Sequence, residues 1–145
     1  MNLEKKFQPI ECACTSLRMA SRVVSRAFDT ALDPLGINTT QYAILKNIGN
    51  YQPVTQMNLA DHLDTERTTL YRALDILENK GWIKSTFLED GRSKSVELTK
   101  KGEKLVAEAK AVWATVHGPF VKKFGAERWE EFLEMMDEMK EYFRG

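Results

Sequence analysis

Apolar residues recur at helical spacing over about 11–32, where Leu17, Ala20, Val24, Ala27, Phe28 and Ala31 predict a first helix. Asp33-Pro34-Leu35-Gly36 stops it, since proline disfavours helix at the preceding residue and glycine suits a turn. Tyr42, Ile44, Leu45 and Ile48 predict a second helix, capped by Thr39 or Thr40 and stopped near Gly49-Asn50. Gln52-Pro53-Val54 reads as an extended bridge. Thr55 then caps a short helix over 56–63, with Leu59, Ala60 and Leu63 on one side. Almost at once Leu70, Ala73, Leu74 and Leu77 repeat at i, i+3, i+4 and i+7, after a cap at Asp64 or Thr65 and before a stop at Asn79-Lys80-Gly81.

There the period changes. Residues 82–88 (Trp-Ile-Lys-Ser-Thr-Phe-Leu) are rich in strand formers, Ser95-Val96-Glu97-Leu98 alternates polar with apolar, and Asp90-Gly91 between them is a hairpin signal. Thr99 caps a long helix carrying Leu105, Val106, Ala109, Val112, Trp113 and Val116. Gly118-Pro119 is expected to interrupt it before a short piece with Phe120, Val121 and Phe124. After Gly125 a last helix presents Trp129, Phe132, Leu133, Met136, Met139 and Phe143. The fold class is therefore mainly α with a small antiparallel β-hairpin (α+β): a winged helix-turn-helix flanked by further helices.

The second helix of such a unit enters the DNA major groove with its N-terminal residues against base edges. With Leu70, Ala73, Leu74 and Leu77 turned inward, Thr65, Glu66, Arg67, Thr68, Thr69, Tyr71, Arg72 and Asp75 are left to face outward. Arginine can donate two hydrogen bonds to guanine, and threonine offers a hydroxyl and a methyl to thymine. An ordinary polar helix face has the same composition, and the adjacent hairpin is what favours DNA. At its tip, Arg92 and Lys94 suit a minor groove of strongly negative potential, with Asp90 placed to hold the Arg92 guanidinium. A merely solvated turn is the plainer alternative there.

Composition changes this picture only where charge is concerned. The 145 residues have the length of one domain, and 43% hydrophobic with 29% charged residues excludes a disordered chain. Net charge is zero, whereas nucleic-acid binding usually leaves a basic footprint. By segment, however, residues 1–28 carry +3, 29–63 carry −2, 64–101 carry +1, 102–125 carry +2 and 126–145 carry −4. An acidic last helix cancels a mildly basic body, so a local DNA-facing patch survives. No apolar run approaches the ~18 residues of a membrane span, residues 1–7 do not read as a secretory leader, and two cysteines cannot staple a fold. The expected compartment is the reducing cytoplasm. Two histidines, with no phosphate-cradling loop, HExxH or G-x-S-x-G, leave no assembled catalytic or metal site and imply no cofactor.

Residues 63–72 (Leu-Asp-Thr-Glu-Arg-Thr-Thr-Leu-Tyr-Arg), 77–83 (Leu-Glu-Asn-Lys-Gly-Trp-Ile) and 90–102 (Asp-Gly-Arg-Ser-Lys-Ser-Val-Glu-Leu-Thr-Lys-Lys-Gly) resemble the multiple-antibiotic-resistance-regulator (MarR) family. In its members a recognition helix leads to a Leu-Glu-x-x-Gly end, a wing with Asp-x-Arg, and Leu-Thr-x-x-Gly opening a long helix. The likeness extends to helix order, total length and Gln41-Tyr42. It implies a cytoplasmic regulator, most often a repressor. Such a protein binds a palindromic DNA site as a homodimer and leaves it on binding a small aromatic or phenolic effector or on oxidation. It also implies one domain over 1–145, with dimerisation helices at 1–35 and 100–145 and the winged helix at 38–99. Met19, Tyr42 and Trp113 are candidates for the effector pocket, which in the family lies between the dimer helices and the winged helix. A winged-helix module that binds protein and never DNA is the alternative.

The apolar residues of the last helices exceed what a winged-helix core can cover, so a second subunit or the first helix must cover them. Arg18, Arg22 and Arg26 recur every four residues. They meet a partner's acidic helix (Glu127, Glu130, Glu131, Glu134), face DNA, or are simply solvated. Cys12 and Cys14 are candidate redox residues, because Cys14 falls near the reactive cysteine of the family's organic-hydroperoxide-sensing branch and Arg18 could stabilise a thiolate. Where that branch places supporting tyrosines, this chain has Arg18, Phe28 and Thr39, and two small residues near a helix start are the simpler reading.

Overall fold

The computed structural model describes residues 8–145; residues 1–7, read above for a leader, lie outside the described residues. Helix α1 (Ala13–Leu32) ends in a 3-10 turn over Asp33–Leu35, with Gly36 left-handed at φ 73°. Helix α2 spans Thr39–Tyr51. Its cap is Asn38, not Thr39 or Thr40. The Asn38 side chain accepts from the Gln41 N–H while Gln41 returns a bond to the Asn38 N–H, a reciprocal arrangement that satisfies two otherwise orphaned donors. Thr39 is used elsewhere: its N–H and hydroxyl both donate to Asp29 at 2.7 and 2.6 Å, tying α2 to α1. Those two bonds, the hydroxyl's first, hold the Asp29 carboxyl below its ordinary range.

Helix α2 also runs through Gly49-Asn50. A Cβ on Gly49 would lie 3.0 Å from the Leu98 side chain, so this glycine lets a strand approach and does not end the helix. The expected bridge is itself paired. Strand β1 (Val54–Thr55) joins β2 (Ile83–Phe87) and β3 (Lys94–Leu98) in an antiparallel sheet of order β1-β3-β2, so the hairpin becomes three strands. Register is fixed by Val54 opposite Val96 and by Ile83 opposite Leu98. Thr55 caps α3 (Gln56–His62) as expected, through the Asn58 N–H.

Helix α4 (Arg67–Asn79) starts later than a cap at Asp64 or Thr65 would require. Asp64 sits in the turn at φ 51°, the one non-glycine with positive φ among the described residues. The Thr65 hydroxyl donates back to the Leu63 carbonyl, so neither side chain caps the helix. Helix α5 (Lys100–Phe124) is unbroken at Gly118-Pro119. Pro119 is exposed and removes only one N–H, while on either side Trp113 stacks on His117 and Phe120 and Phe124 meet Trp129 and Phe132 edge-on, contacts that keep the helix aligned. Gly125 separates it from α6 (Ala126–Arg144).

Among the described residues the core is one cluster centred on the winged helix: Leu45, Ile48, Leu59, Leu70, Leu74, Leu77 and Val96, closed by Leu32 from α1 and Leu105 and Ala109 from α5. By contrast α6 has no buried residue, and Val23 and Val24 of α1 are exposed. No helix among the described residues is long and apolar enough to cross a membrane.

Candidate nucleic-acid interface

Burying Leu70, Leu74 and Leu77 fixes the rotation of α4 about its axis. Arg67, Thr68, Thr69 and Arg72 are then exposed together. Glu66 stands at the N-cap without a side-chain cap bond, so the first amides of α4 are not taken by the helix's own sequence. Arg67 is only loosely held, 3.8 Å from Asp61 on α3. Two expected contacts are placed differently. The Tyr71 ring is half-buried and packs on the core, and Thr65 is half-buried in the turn.

The wing is anchored to α4 by the Glu78 carboxylate, which accepts the Ser85 N–H of β2 at 3.1 Å. At its base the Trp82 carbonyl accepts the Thr99 N–H, and Thr99 caps α5 through the Gly102 N–H. At its tip Asp90 does not grip the Arg92 guanidinium. One carboxylate oxygen accepts the Arg92 and Ser93 N–H groups at 2.9 and 2.8 Å, and the other accepts the Ser93 hydroxyl at 2.6 Å. These bonds, the Ser93 hydroxyl's first, lower the Asp90 pKa, so the carboxylate shapes the turn and stays ionised. Arg92 is exposed and has no ion-pair partner among the described residues. Lys94 is half-buried with its Nζ 4.8 Å from the Phe87 ring centroid, so its stem stays near the sheet.

A cavity of about 320 Å³ lies between α1, α2 and α5. Tyr42 and Trp113 line it with Phe28, Lys46 and Asn47, whereas Met19 is 45% exposed and not part of the wall. Tyr42 is 4% exposed, and its hydroxyl is buried with no hydrogen-bond partner among the described residues. Burial pushes its pKa up. Lys46 Nζ lies 4.9 Å from the Trp113 ring centroid, and His117 stacks on Trp113 at 4.4 Å. Sequence reading missed Lys46, Asn47 and Phe28 as cavity residues. Lys46 and Asn47 follow Tyr42 by one helical turn, which is the signal that could have found them.

Cys12 and Cys14 are free thiols and exposed. Cys12 is the N-cap of α1 without a formed cap bond, yet the Thr15 N–H first, then the Thr15 hydroxyl and the Cys14 N–H, hold its thiol below the ordinary value. The stabilisation comes from the helix start, and Arg18 is not among its causes. Cys14 lines a second, apolar cleft with Leu17, Met136, Met139 and Phe143. Arg18, Arg22 and Arg26 are exposed and unpaired among the described residues, where no group of three His, Cys, Asp or Glu could hold a metal.

Comparison with known proteins agrees with this geometry. The MarR family model matches residues 37–94. An HTH-type transcriptional regulator of Bacillus subtilis, YwoH, is 30% identical over 92 residues, 63% of this chain and 67% of that protein. The M. tuberculosis transcriptional regulator MosR, solved in complex with DNA, is 32% identical with a TM-score of 0.81, over 93% of this chain and all of that one. The transcriptional repressor CouR bound to a 23-mer DNA duplex is 25% identical with a TM-score of 0.81, over 90% of this chain and 93% of that one. CouR from Rhodococcus jostii has also been solved bound to p-coumaroyl-CoA; in that form it is 21% identical, with a TM-score of 0.77 over 89% of this chain and 91% of that one, and shares the fold. On this sequence likeness and the winged helix-turn-helix that carries it, the chain belongs to the MarR family.

Proposed function

We propose that the protein is a cytoplasmic transcription regulator that binds DNA as a homodimer, represses from a palindromic operator, and lets go when a small aromatic or phenolic molecule enters the α1–α2–α5 cavity. It is a regulator and not an enzyme, as befits a MarR-family chain. The observation that carries the reading is the exposed start of α4, with Arg67, Thr68, Thr69 and Arg72, beside a wing whose tip presents Arg92. Arg67 and Arg72 are the base readers, Thr68 and Thr69 supplement them, and Arg92 takes the minor groove with Lys94 behind it. Asp90 builds the turn that presents Arg92, and Thr65 and Tyr71 seat the start of α4. A twofold dimer brings two such units to two half-sites, which is why the operator should be an inverted repeat. Helices in 1–35 and 100–145 supply the dimer, and the winged helix occupies 38–99.

Repression follows the named relative CouR, a repressor solved on duplex DNA. Release by a ligand is supported by a ring-sized cavity holding one cation, Lys46, and the unpartnered Tyr42 hydroxyl. Oxidation is a second route to release, supported by the exposed Cys12 and Cys14 and the lowered Cys12 thiol.

Selection by the full-length protein from a pool of random duplexes tests the reading. The expected outcome is an enriched inverted repeat whose half-site centres lie about one helical turn, ~10 base pairs, apart. Binding should weaken as salt rises. Failure to enrich any duplex would instead favour a protein-binding winged helix.

A further inference from the structure

Asn47 belongs to two places at once. Its side chain lines the α1–α2–α5 cavity and also meets the end of α3. Asn47 Nδ2 donates to the Ala43 carbonyl at 2.8 Å, which fixes the amide so that Oδ1 faces His62 Nε2 at 3.1 Å. Oδ1 can only accept, so His62 Nε2 carries the proton in this bond. The Tyr51 ring holds the imidazole from another side, edge-on at 4.7 Å. His62 is the last residue of α3, and residues 63–66 then lead directly into α4, with Asp64 in its positive-φ conformation. One side-chain hydrogen bond thus separates the cavity wall from the turn that mounts the recognition helix.

The cavity supplies the reason for that bond to break. The polar groups it offers are donors: the Tyr42 hydroxyl, which has no hydrogen-bond partner among the described residues, the Lys46 ammonium beside Trp113, and the Asn47 amide N–H groups. A ring bearing a carboxylate or phenolate can satisfy Tyr42 and Lys46 together, and its remaining acceptor capacity draws the Asn47 amide towards the cavity. Oδ1 turns with the amide and leaves His62. Resting on the ligand-release reading, we propose that Asn47 and His62 are the link through which occupancy of the cavity reaches the recognition helix: a bound acceptor recruits Asn47, leaves the end of α3 held to α2 at His62 by the Tyr51 ring contact without the hydrogen bond, and lets the turn before α4 shift. His62 is a positioning residue here, since it is exposed and does not line the cavity.

The test uses the full-length protein, the duplex it selects, and two probes, 4-hydroxybenzoate and 4-hydroxycinnamate. Probe binding is measured by calorimetry, and duplex affinity by anisotropy with and without probe. In the unaltered protein a probe should weaken duplex binding by about tenfold, within the usual span of allosteric coupling. His62→Ala should bind the same probe with Kd within about twofold of the unaltered protein, yet lose most of that coupling, to below about threefold. His62→Gln, whose amide can donate to Asn47 Oδ1, should restore it. A His62→Ala protein that keeps the full coupling overturns the link and leaves the ligand reading standing. If His62→Ala no longer binds the probe, His62 belongs to the binding site and the link is likewise overturned. If the unaltered protein neither binds a probe nor changes its duplex affinity, both the link and the ligand reading fall.

Discussion

Gly102 illustrates what a single position contributes. The sequence shows it only as the end of a Leu-Thr-x-x-Gly run; the structure gives the run its physics. A Cβ on Gly102 would lie 2.0 Å from the Trp82 carbonyl oxygen, so the first turn of α5 can press on the base of the wing only if this residue has no side chain. The same carbonyl accepts the Thr99 N–H, so neither partner can retreat without breaking a bond. Gly102→Ala should therefore cost about 3 kcal/mol, at the upper end of overpacking penalties. Thermal unfolding followed by circular dichroism checks it, and an unchanged midpoint would remove the explanation. Other residue roles were hidden for the same reason. That Thr39 bonds Asp29 and not its own helix, and that Asp90 holds backbone amides and not a guanidinium, depends on atoms ten and three residues away whose positions only folding sets.

At the scale of elements, the winged helix was legible because periodicity and turn chemistry agree. Apolar spacing placed α3 and α4, and the change from period 3.6 to period 2 placed the hairpin. The errors fell at ends and junctions. Gly49 looked like a stop because glycine usually is one, but close packing on Leu98 uses it mid-helix. Pro119 looked like a break, but the rings around it hold α5 straight. β1 has only two residues, and its pairing to Val96 and Ser95 is non-local, so no window along the chain reports it. Function at this scale divides between helix and wing. Arg92→Ala should weaken binding to nearly all duplexes alike and reduce the salt slope by about 1 per subunit. Arg67→Ala or Arg72→Ala should relax the preference at one position of each half-site, a loss of about 1–3 kcal/mol against the preferred base. Parallel titrations of the selected duplex and single-base variants at several salt concentrations separate the two. Equal behaviour of all three variants would undo these assignments.

For the whole molecule, the outer helices carry more apolar surface than one chain covers. Val23 is 65% exposed and Phe143 74%, and Met19, Val24, Leu133 and Met135 are also open. Apolar exposure of this extent on the outer helices calls for a partner, and twofold pairing would cover it on both copies at once. Val23→Glu, which places a charge on that surface without touching the core, should shift the protein from dimer to monomer in light scattering. Its duplex affinity should fall by orders of magnitude, because one half-site contact is lost with the second copy. A dimer of unchanged stability would exclude this face of α1 from the interface. The zero net charge fits the same picture. The acidic α6 carries −4 while residues 64–101 carry only +1, so DNA binding must rest on a few placed cations and not on a general field.

By itself the sequence determined the order of elements, the helix rotation that exposes Arg67 and Arg72, and the family, because each depends on spacing within a dozen residues or on a motif read in line. Tertiary structure alone decided that β1 joins the sheet, that Cys12 draws its stabilisation from a helix start, and that Tyr42, Lys46, Asn47 and Trp113 enclose one cavity. It also decided that Asn47 reaches His62, fifteen residues on. These depend on how α1, α2, α3 and α5 cross, and crossing geometry is set by the packing of side chains distant in sequence, which local periodicity does not encode.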